Sequence, residues 1–180
     1  MPPLARYKDG RLVVEGKGMD ALAERGFGSR RDGRLILEPW EALYLLEKGK
    51  LRVVDEDGRE LGFQELLAEL RRVDEATWAR YLIYRDLRER GYVVKRGFGP
   101  EITFRLYGRG EYGRKEARYV VFGLLEGSPV RLSVLEELLR RAQAVKKELI
   151  LAVVDRRGEV VYYSLSSWPK RALEREQEGA

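Results

Sequence analysis

The sequence predicts a mixed α/β protein with a small N-terminal domain and a C-terminal domain richer in strands. The chain has 180 residues and is 44% hydrophobic, which suffices for one large domain or two small ones. Its apolar residues alternate between helical and strand spacing, and a helical pattern gives way to strands at Gly91. We place the domain boundary near Val73–Asp74, which divides the chain into residues 1–73 and 74–180.

The N-terminal domain is predicted to combine short strands with two helices. Pro39 suits a first helical turn, where its missing N–H is not needed, and Gly49 suits a helix end. These two residues predict a helix from Pro39 to Lys48. The other predicted elements are strands at Arg11–Glu15, Leu35–Leu37 and Leu51–Val54 and an amphipathic helix at Phe63–Leu70.

The C-terminal domain is predicted to run helix, three strands, helix, two strands. Asp74 is a candidate N-cap for the first helix, which Gly91 ends, and Ser133-Val134-Leu135-Glu136 is typical of a capping box that opens the second. The Asp155–Glu159 segment has hairpin length, and residues after Pro169 are expected to fray. The predicted strands are Tyr92–Lys95, Ile102–Tyr107, Arg118–Leu125, Leu149–Asp155 and Val160–Leu165.

Charge and residue usage narrow the classes of function. The net charge of +5 and the pI near 9.4 favour a polyanionic partner, although the same charge serves ordinary solubility. The chain contains neither cysteine nor histidine, which excludes disulfides, thiol nucleophiles and the usual zinc ligand sets. No apolar run has transmembrane length. We therefore expect a cytoplasmic protein without a cofactor, a bound metal or a membrane partner.

Several segments have the residues and spacing of one known family. They are the Tyr107-Gly108-Arg109-Gly110 turn, the Tyr119-Val120-Val121 strand, and the stretches Tyr84–Lys95 and Ala144–Asp155. From Leu35 to its final strand, the chain resembles the archaeal tRNA-splicing endonucleases. The resemblance implies a C-terminal three-layer α/β/α domain with a mixed central sheet. It also implies cleavage of precursor tRNA at bulge-helix-bulge sites, leaving 2′,3′-cyclic phosphate and 5′-hydroxyl ends.

RNA can be cut without metal when its own 2′-hydroxyl attacks the phosphate. The reaction needs a base near the 2′-hydroxyl, a cation for the phosphorane charge and an acid for the departing 5′-oxygen. The family uses a Tyr, a Lys and a His. By resemblance, Tyr107 takes the tyrosine position and Lys147 the lysine position, with Lys146 as its neighbouring alternative. Gly108 stands where the family usually has proline, so we expect a looser loop.

Glu116 occupies the position of the family histidine. A glutamate with a pKa of about 4.3 is an anion at pH 7 and cannot protonate a leaving group unless burial raises that pKa by several units. It would also repel the scissile phosphate. We therefore predict that Tyr107 and Lys147 are vestigial in the isolated chain. The resemblance then implies a structural subunit that supports a catalytic paralogue in a heterotetramer with two copies of each subunit.

Basic side chains supply candidate RNA contacts. By resemblance, Arg140 lies where a family arginine clamps a bulged base, and an arginine plane is a suitable surface for an unpaired base. Arg109, Arg114 and Lys115 form a basic loop that suits phosphate contacts. A second basic cluster comprises Arg25, Arg30, Arg31 and Arg34. Both loops, and the helix that carries Arg140, equally fit a role as solvated surfaces.

The last two strands supply candidate interface residues. The resemblance implies that the hairpin loop with Asp155 and Glu159 docks into an opposing subunit, although Arg156 and Arg157 cancel its charge. The final strand, with Tyr162 and Tyr163, is an apolar edge candidate that would aggregate unless it were paired or covered. We expect it to pair with a sister subunit.

Two other functions remain open at this point. The chain could be a self-sufficient nuclease that uses Glu116 as its acid, or a metal-dependent one that holds Mg²⁺ on Glu101, Glu111 and Glu116. It could also be a stand-alone RNA-binding module.

Overall fold

The computed structural model of the protein describes residues 1–99 and 103–166. These residues form ten strands and five helices, arranged as two five-stranded mixed sheets. The predicted mixed α/β class is therefore confirmed. No helix in the described ranges is both long and apolar enough to cross a membrane.

The N-terminal half is one sheet with helices against its inner face. The strand order is β3-β4-β2-β1-β5, and all neighbours are antiparallel except β1 and β5. Strands β1, β2, β4 and β5 turn Ala5, Leu12, Leu35 and Val53 into the core, whereas β3 is exposed along its whole length. The elements are β1 Leu4–Lys8, β2 Arg11–Val14, α1 Met19–Glu24, β3 Ser29–Arg31, β4 Arg34–Leu37, α2 Pro39–Glu47, β5 Arg52–Val54 and α3 Phe63–Val73.

The C-terminal half has three layers. Its sheet has the order β10-β9-β8-β7-β6, with β8 and β9 parallel and the other neighbours antiparallel. Helix α4 packs on one face, and α5 covers the other by burying Leu138 and Ala142 against Val120 and Leu149. The elements are α4 Thr77–Glu89, β6 Val93–Arg96, β7 Phe104–Tyr107, β8 Tyr119–Leu125, α5 Leu132–Ala144, β9 Glu148–Val154 and β10 Val160–Leu165.

The predicted starts of the two C-terminal helices were wrong. Asp74 does not cap α4: its carboxylate accepts a hydrogen bond from the Ala76 amide at 3.0 Å, which makes a turn before the helix begins at Thr77. Helix α5 begins at Leu132 with Arg131 as N-cap and no side-chain cap. Because Arg131 is the last extended residue, Ser133 already lies inside the first helical turn and cannot cap it.

Other predicted boundaries agree with the structure to within three residues, and three elements had no counterpart in the prediction. Strand β1, helix α1 and strand β3 are short, and β3 buries none of its three residues. Such segments carry too few apolar residues to show a period. Ile102 and the tail after Pro169 lie outside the described residues.

The two halves share an aromatic core. Trp40 of α2 packs edge-on against Phe104 of β7 at 5.3 Å between ring centroids, and Tyr44 packs edge-on against Tyr84 of α4 at 5.8 Å. Trp40, Phe104 and Tyr84 are buried. The expectation that the two parts pack against each other is therefore confirmed.

A buried ion pair also joins the halves. Glu41 of α2 accepts hydrogen bonds from the Glu38 and Gly28 amides at 2.8 and 3.0 Å, and its other oxygen lies 3.8 Å from the Lys95 ammonium of β6. Lys95 also donates to the carbonyls of Gly26 and Gly28. Burial raises the pKa of Glu41 to about 7, although Lys95 and the two amides oppose it, and burial lowers the pKa of Lys95.

This pair predicts a pH-dependent stability that a Glu41→Gln variant lacks. Because the pKa of Glu41 is near 7 in the folded protein and 4.5 when unfolded, the folded state favours its protonated form. Its contribution is fully present below pH 4.5 and is lost as the pH rises through 7. Urea unfolding of both proteins should show the wild type losing about 3 kcal/mol relative to the variant across this window. Parallel pH profiles would contradict the prediction.

Candidate active site

Sheet register brings Tyr107 and Lys147 to the same end of the C-terminal sheet. Leu106 pairs with Tyr119, and Tyr119 pairs with Glu148. Extending the register by one residue places Tyr107, Arg118 and Lys147 in one row across β7, β8 and β9. Adjacent strands lie about 4.8 Å apart, so the row is about 10 Å wide. Side chains directly opposite one another share a face, so all three lie on the face that α5 covers.

The end of α5 decides between the two neighbouring lysines. Lys146 has a left-handed backbone with φ of 55°, and its amide donates to the Gln143 carbonyl as the helix ends. Lys146 is exposed, whereas the Lys147 side chain is only 14% exposed. The Lys147 ammonium donates a hydrogen bond to the Ala117 carbonyl at 2.7 Å. Lys147 is therefore the lysine that the fold directs toward the 116–118 segment.

Glu116 stands beside this lysine but is not held by the fold. Its side chain is 96% exposed, and its Oε2 lies 3.9 Å from the Lys147 Nζ. The row of Tyr107, Arg118 and Lys147 thus has an exposed carboxylate next to the Lys147 ammonium.

Tyr107 contacts a second tyrosine, Tyr112, which no sequence pattern predicted. The Tyr107 and Tyr112 rings meet edge to face at 5.1 Å between centroids. The Lys95 ammonium lies 5.8 Å from the Tyr112 ring, so this ring connects the site to the buried pair between the halves. Nothing in the sequence except the five-residue separation of the tyrosines could have indicated the contact.

The loop between Tyr107 and Glu116 is folded on itself. The Glu111 amide donates to the Gly108 carbonyl at 3.1 Å, and the Arg114 and Lys115 amides donate to the Glu111 carbonyl at 2.9 and 2.8 Å. These backbone hydrogen bonds fold the segment that follows Gly108 into successive turns. The Lys115 ammonium also lies 3.3 Å from the Glu111 carboxylate.

The predicted RNA-contact residues are spread over the surface. Arg109 turns back to the end of α4 and donates to the Arg90 carbonyl at 2.9 and 3.3 Å. Arg140 is exposed on α5 and forms an ion pair with Glu137, one turn earlier. Arg114 and Lys115 are exposed on the loop beside Glu116. Arg109 thus has a structural partner, while Arg114 and Lys115 lie nearest the site.

The side chains of the predicted interface residues point in different directions. The Asp155 carboxylate accepts the amides of Arg157 and Glu159 at 2.8 and 2.9 Å, which shapes the hairpin. The Tyr162 hydroxyl donates to Asp86 of α4 at 2.7 Å, so this ring faces the protein interior. Tyr163 is 52% exposed and lies on β10, the outermost strand of the sheet.

A metal site finds little support in these side chains. Within residues 1–99 and 103–166, no group of three or more acidic side chains is placed to hold a metal ion. Glu111 is paired with Lys115, and Glu116 extends into solvent. Glu101 lies outside the described residues.

Comparison with known families identifies the class of protein. The tRNA intron endonuclease N-terminal domain matches residues 5–67, and the catalytic C-terminal domain of the same family matches residues 77–162. The chain therefore belongs to the tRNA intron endonuclease family.

Archaeal relatives match most of the chain. A tRNA-splicing endonuclease of Methanococcus maripaludis is 37% identical over 162 residues, which cover 89% of this chain and 92% of the relative. That of Pyrococcus furiosus is 37% identical over 146 residues, covering 81% and 83%. That of Thermococcus gammatolerans is 39% identical over 142 residues, covering 79% and 83%.

Proposed function

We propose that the chain is the structural subunit of a tRNA-intron endonuclease. In this proposal it assembles with a catalytic paralogue as a heterotetramer, with two copies of each subunit, and binds precursor tRNA. The complex cleaves bulge-helix-bulge sites and leaves 2′,3′-cyclic phosphate and 5′-hydroxyl ends. Family membership supports the cleavage reaction. The candidate site of this chain supports the assignment of cleavage to the paralogue and of a structural role to this chain.

The observation that carries the proposal is the position of Glu116. An exposed carboxylate 3.9 Å from the Lys147 ammonium replaces the proton donor that the departing 5′-oxygen requires. It also adds negative charge where a scissile phosphate would lie. The chain is therefore expected to bind RNA without cutting it at an appreciable rate.

The rest of the site supports descent from an active enzyme. Tyr107 and Lys147 share one row of the sheet and lie two strands apart. In an active subunit, the tyrosine would act at the 2′-hydroxyl and the lysine at the phosphorane oxygens. Here the lysine already has the Ala117 carbonyl as a hydrogen-bond partner.

The outer strand and the hairpin are the proposed contacts with other subunits. Tyr162 faces inward, so its neighbours Val161 and Tyr163 point to the opposite face of β10. The exposed fraction is 47% for Val161 and 52% for Tyr163, and β10 has an open edge. An apolar edge of this kind favours pairing with the edge of another subunit. The Asp155–Glu159 hairpin lies at the start of the same strand and is proposed to dock on an opposing dimer.

Reconstitution tests the division of labour. Neither the isolated chain nor an inactive paralogue that lacks its own triad histidine should cut bulge-helix-bulge RNA. Mixing the chain with the intact paralogue should raise the cleavage rate by at least about a hundredfold over the chain alone, since a positioned acid contributes about 10²–10⁴, and should also exceed the rate of the intact paralogue alone. The measurement is single-turnover cleavage of labelled precursor tRNA, with analysis of the product ends.

The other outcomes identify the alternatives. Cleavage by the chain alone that EDTA abolishes would establish a metal-dependent nuclease, and EDTA-resistant cleavage would establish a self-sufficient one. RNA binding without any effect on the paralogue would indicate a stand-alone RNA-binding module. Each of these results would contradict the proposal.

A further inference from the structure

The N-terminal sheet has a second face that the helices leave open. Alternation along the strands turns Ala5, Leu12 and Leu35 toward the core, so their neighbours point the opposite way. Cross-strand pairs Arg6–Val13 and Val13–Ile36 show that this second face is continuous across β1, β2 and β4. We call it the outer face; its strand residues include Arg6, Lys8, Arg11, Val13, Ser29, Arg31, Arg34, Ile36 and Arg52.

Every charged side chain that the strands place on the outer face is cationic. Six arginines and lysines surround a centre made by half-buried Val13 and Ile36. Arg31 lies opposite Arg34, and Lys8 lies opposite Arg11, so like charges are neighbours. Directly opposed like charges are destabilising in a sheet. Because this repulsion between cations does not help the domain to fold, we look for its origin in the binding of an anionic partner.

Half of these cations have a carboxylate partner and half do not. Lys8 pairs with Glu56, Arg34 with Glu15 and Arg52 with Glu60, at 2.5, 2.6 and 2.9 Å. These acidic residues come from the loops and turns that border the strands. In the described part of the chain, Arg6, Arg11 and Arg31 have no ion-pair or hydrogen-bond partner for their side chains, and all three are exposed.

A shallow groove runs between the paired and unpaired cations. It has a volume of about 620 Å³, and its lining includes Arg6, Tyr7, Lys8, Arg11, Val13 and Arg34 together with four carboxylates, those of Asp9, Glu15, Asp55 and Glu56. Arg6 lies on β1 and Arg11 on the neighbouring strand β2, and both side chains point to the outer face that forms the base of the groove. The groove therefore presents free guanidinium groups to a ligand that lies across the strands.

The side chains indicate which anionic polymer fits this face. Single-stranded RNA is held by stacking of bases on aromatic rings, whereas helical RNA is held through phosphates and shape. The strand residues that point to the outer face include no aromatic ring; Tyr7 of β1 lines the groove, but it is half-buried and packs against the core. A face whose outward-pointing strand residues include several arginines and no aromatic side chain is suited to the phosphate backbone of an RNA helix.

We propose that the outer face of the N-terminal sheet binds the phosphate backbone of a helical arm of RNA. The inference rests on the proposed function for the identity of the RNA, a precursor tRNA. It adds a second contact surface, on a different sheet from Tyr107 and Lys147, that reads shape and charge but not sequence. Arg6, Arg11 and Arg31 are the residues that bind phosphates, and the carboxylate-paired cations border them.

Substituting the three unpaired arginines with glutamine tests the proposal. The probe is a 20-base-pair RNA hairpin without bulges, so the measurement does not depend on recognition of a splice site. Fluorescence anisotropy should show at least tenfold weaker binding at 100 mM salt for Arg6→Gln/Arg11→Gln/Arg31→Gln. The slope of log affinity against log salt should also fall by about 2, because up to three phosphate contacts are lost.

Two matched variants control for net charge and for folding. Lys17→Gln/Lys50→Gln/Arg71→Gln removes the same charge from exposed positions off the outer face and should bind like the wild type. Arg6→Lys/Arg11→Lys/Arg31→Lys keeps the charge and should retain most of the affinity. Unchanged thermal unfolding of all three variants verifies that the domain remains folded.

The outcomes separate this inference from the proposed function. Equal loss of affinity in the glutamine variant and its off-face control would overturn the RNA-binding face, as would no loss in either. If the face variant alone loses affinity while the paralogue is never activated, the proposed function fails and the RNA-binding face stands. If reconstituted cleavage occurs but the glutamine variant binds the hairpin normally, only the face is overturned.

Discussion

Replacing Glu116 with histidine is expected to convert the chain into a nuclease that cuts bulge-helix-bulge RNA unaided. The change introduces the proton donor that the proposed mechanism requires, beside the row that holds Tyr107 and Lys147. It also removes a carboxylate that lies 3.9 Å from the Lys147 ammonium. General acid catalysis contributes about 10²–10⁴ in rate, so single-turnover cleavage should rise at least about a hundredfold over the wild type.

The pH profile and two further variants identify the source of this gain. A histidine acting as an acid loses its proton near pH 6.5, so the rate of the proton-transfer step should fall as the pH rises above that value. Glu116→Gln removes the negative charge without adding an acid and should stay near the wild-type rate. Adding Lys147→Ala to Glu116→His should abolish the gain. An equal gain in Glu116→Gln would show that charge, and not a lost acid, silences the site.

Replacing Tyr163 with aspartate is expected to break the association between subunits while leaving the fold intact. The ring is 52% exposed on the outermost strand, so the change costs little in the isolated chain. At a paired edge, loss of a buried tyrosine costs about 2 kcal/mol or more, which is at least about thirtyfold in Kd. Sedimentation equilibrium of the variant, alone and with the paralogue, measures this loss.

Tyr162→Phe is the matched control on the same strand. It removes the hydrogen bond to Asp86 and should lower the free energy of unfolding by about 1 kcal/mol, while subunit association stays at the wild-type level. If Tyr162→Phe weakens association and Tyr163→Asp does not, the edge is not the interface.

The sequence predicted the C-terminal sheet well because its strands are long and apolar. Strands β8 and β9 each have seven residues, with a buried core on both faces. The first strand, the first helix and β3 escaped prediction because they have five, six and three residues and bury few of them. The two strands are held by pairing with their neighbours in the sheet, which a sequence pattern does not display.

The sequence indicated which residues form the candidate site, but it did not indicate the contacts between them. Spacing and resemblance singled out Tyr107, Glu116 and Lys147, and sheet register brings their segments together. The Tyr112 ring contact and the hydrogen bond from Lys147 to the Ala117 carbonyl depend on loop geometry. A local sequence pattern does not specify such contacts.

The sequence also did not show which side chains of β10 point inward and which point outward. Tyr162 and Tyr163 are adjacent and chemically alike, yet strand alternation sends them to opposite faces. The inward ring is identified by its partner Asp86, which lies 76 residues away in the chain. Long-range partners of this kind become visible only when the fold is known.

The most direct test of the lost acid changes the leaving group of the RNA. A bulge-helix-bulge substrate with sulfur in place of the 5′-bridging oxygen releases a thiolate, which leaves without protonation because thiols ionise with a pKa near 8.5. The wild-type chain alone should cleave the sulfur substrate at least about a hundredfold faster than the oxygen substrate, and Glu116→His should narrow that ratio. Robust cleavage of the oxygen substrate by the wild-type chain alone would contradict the account.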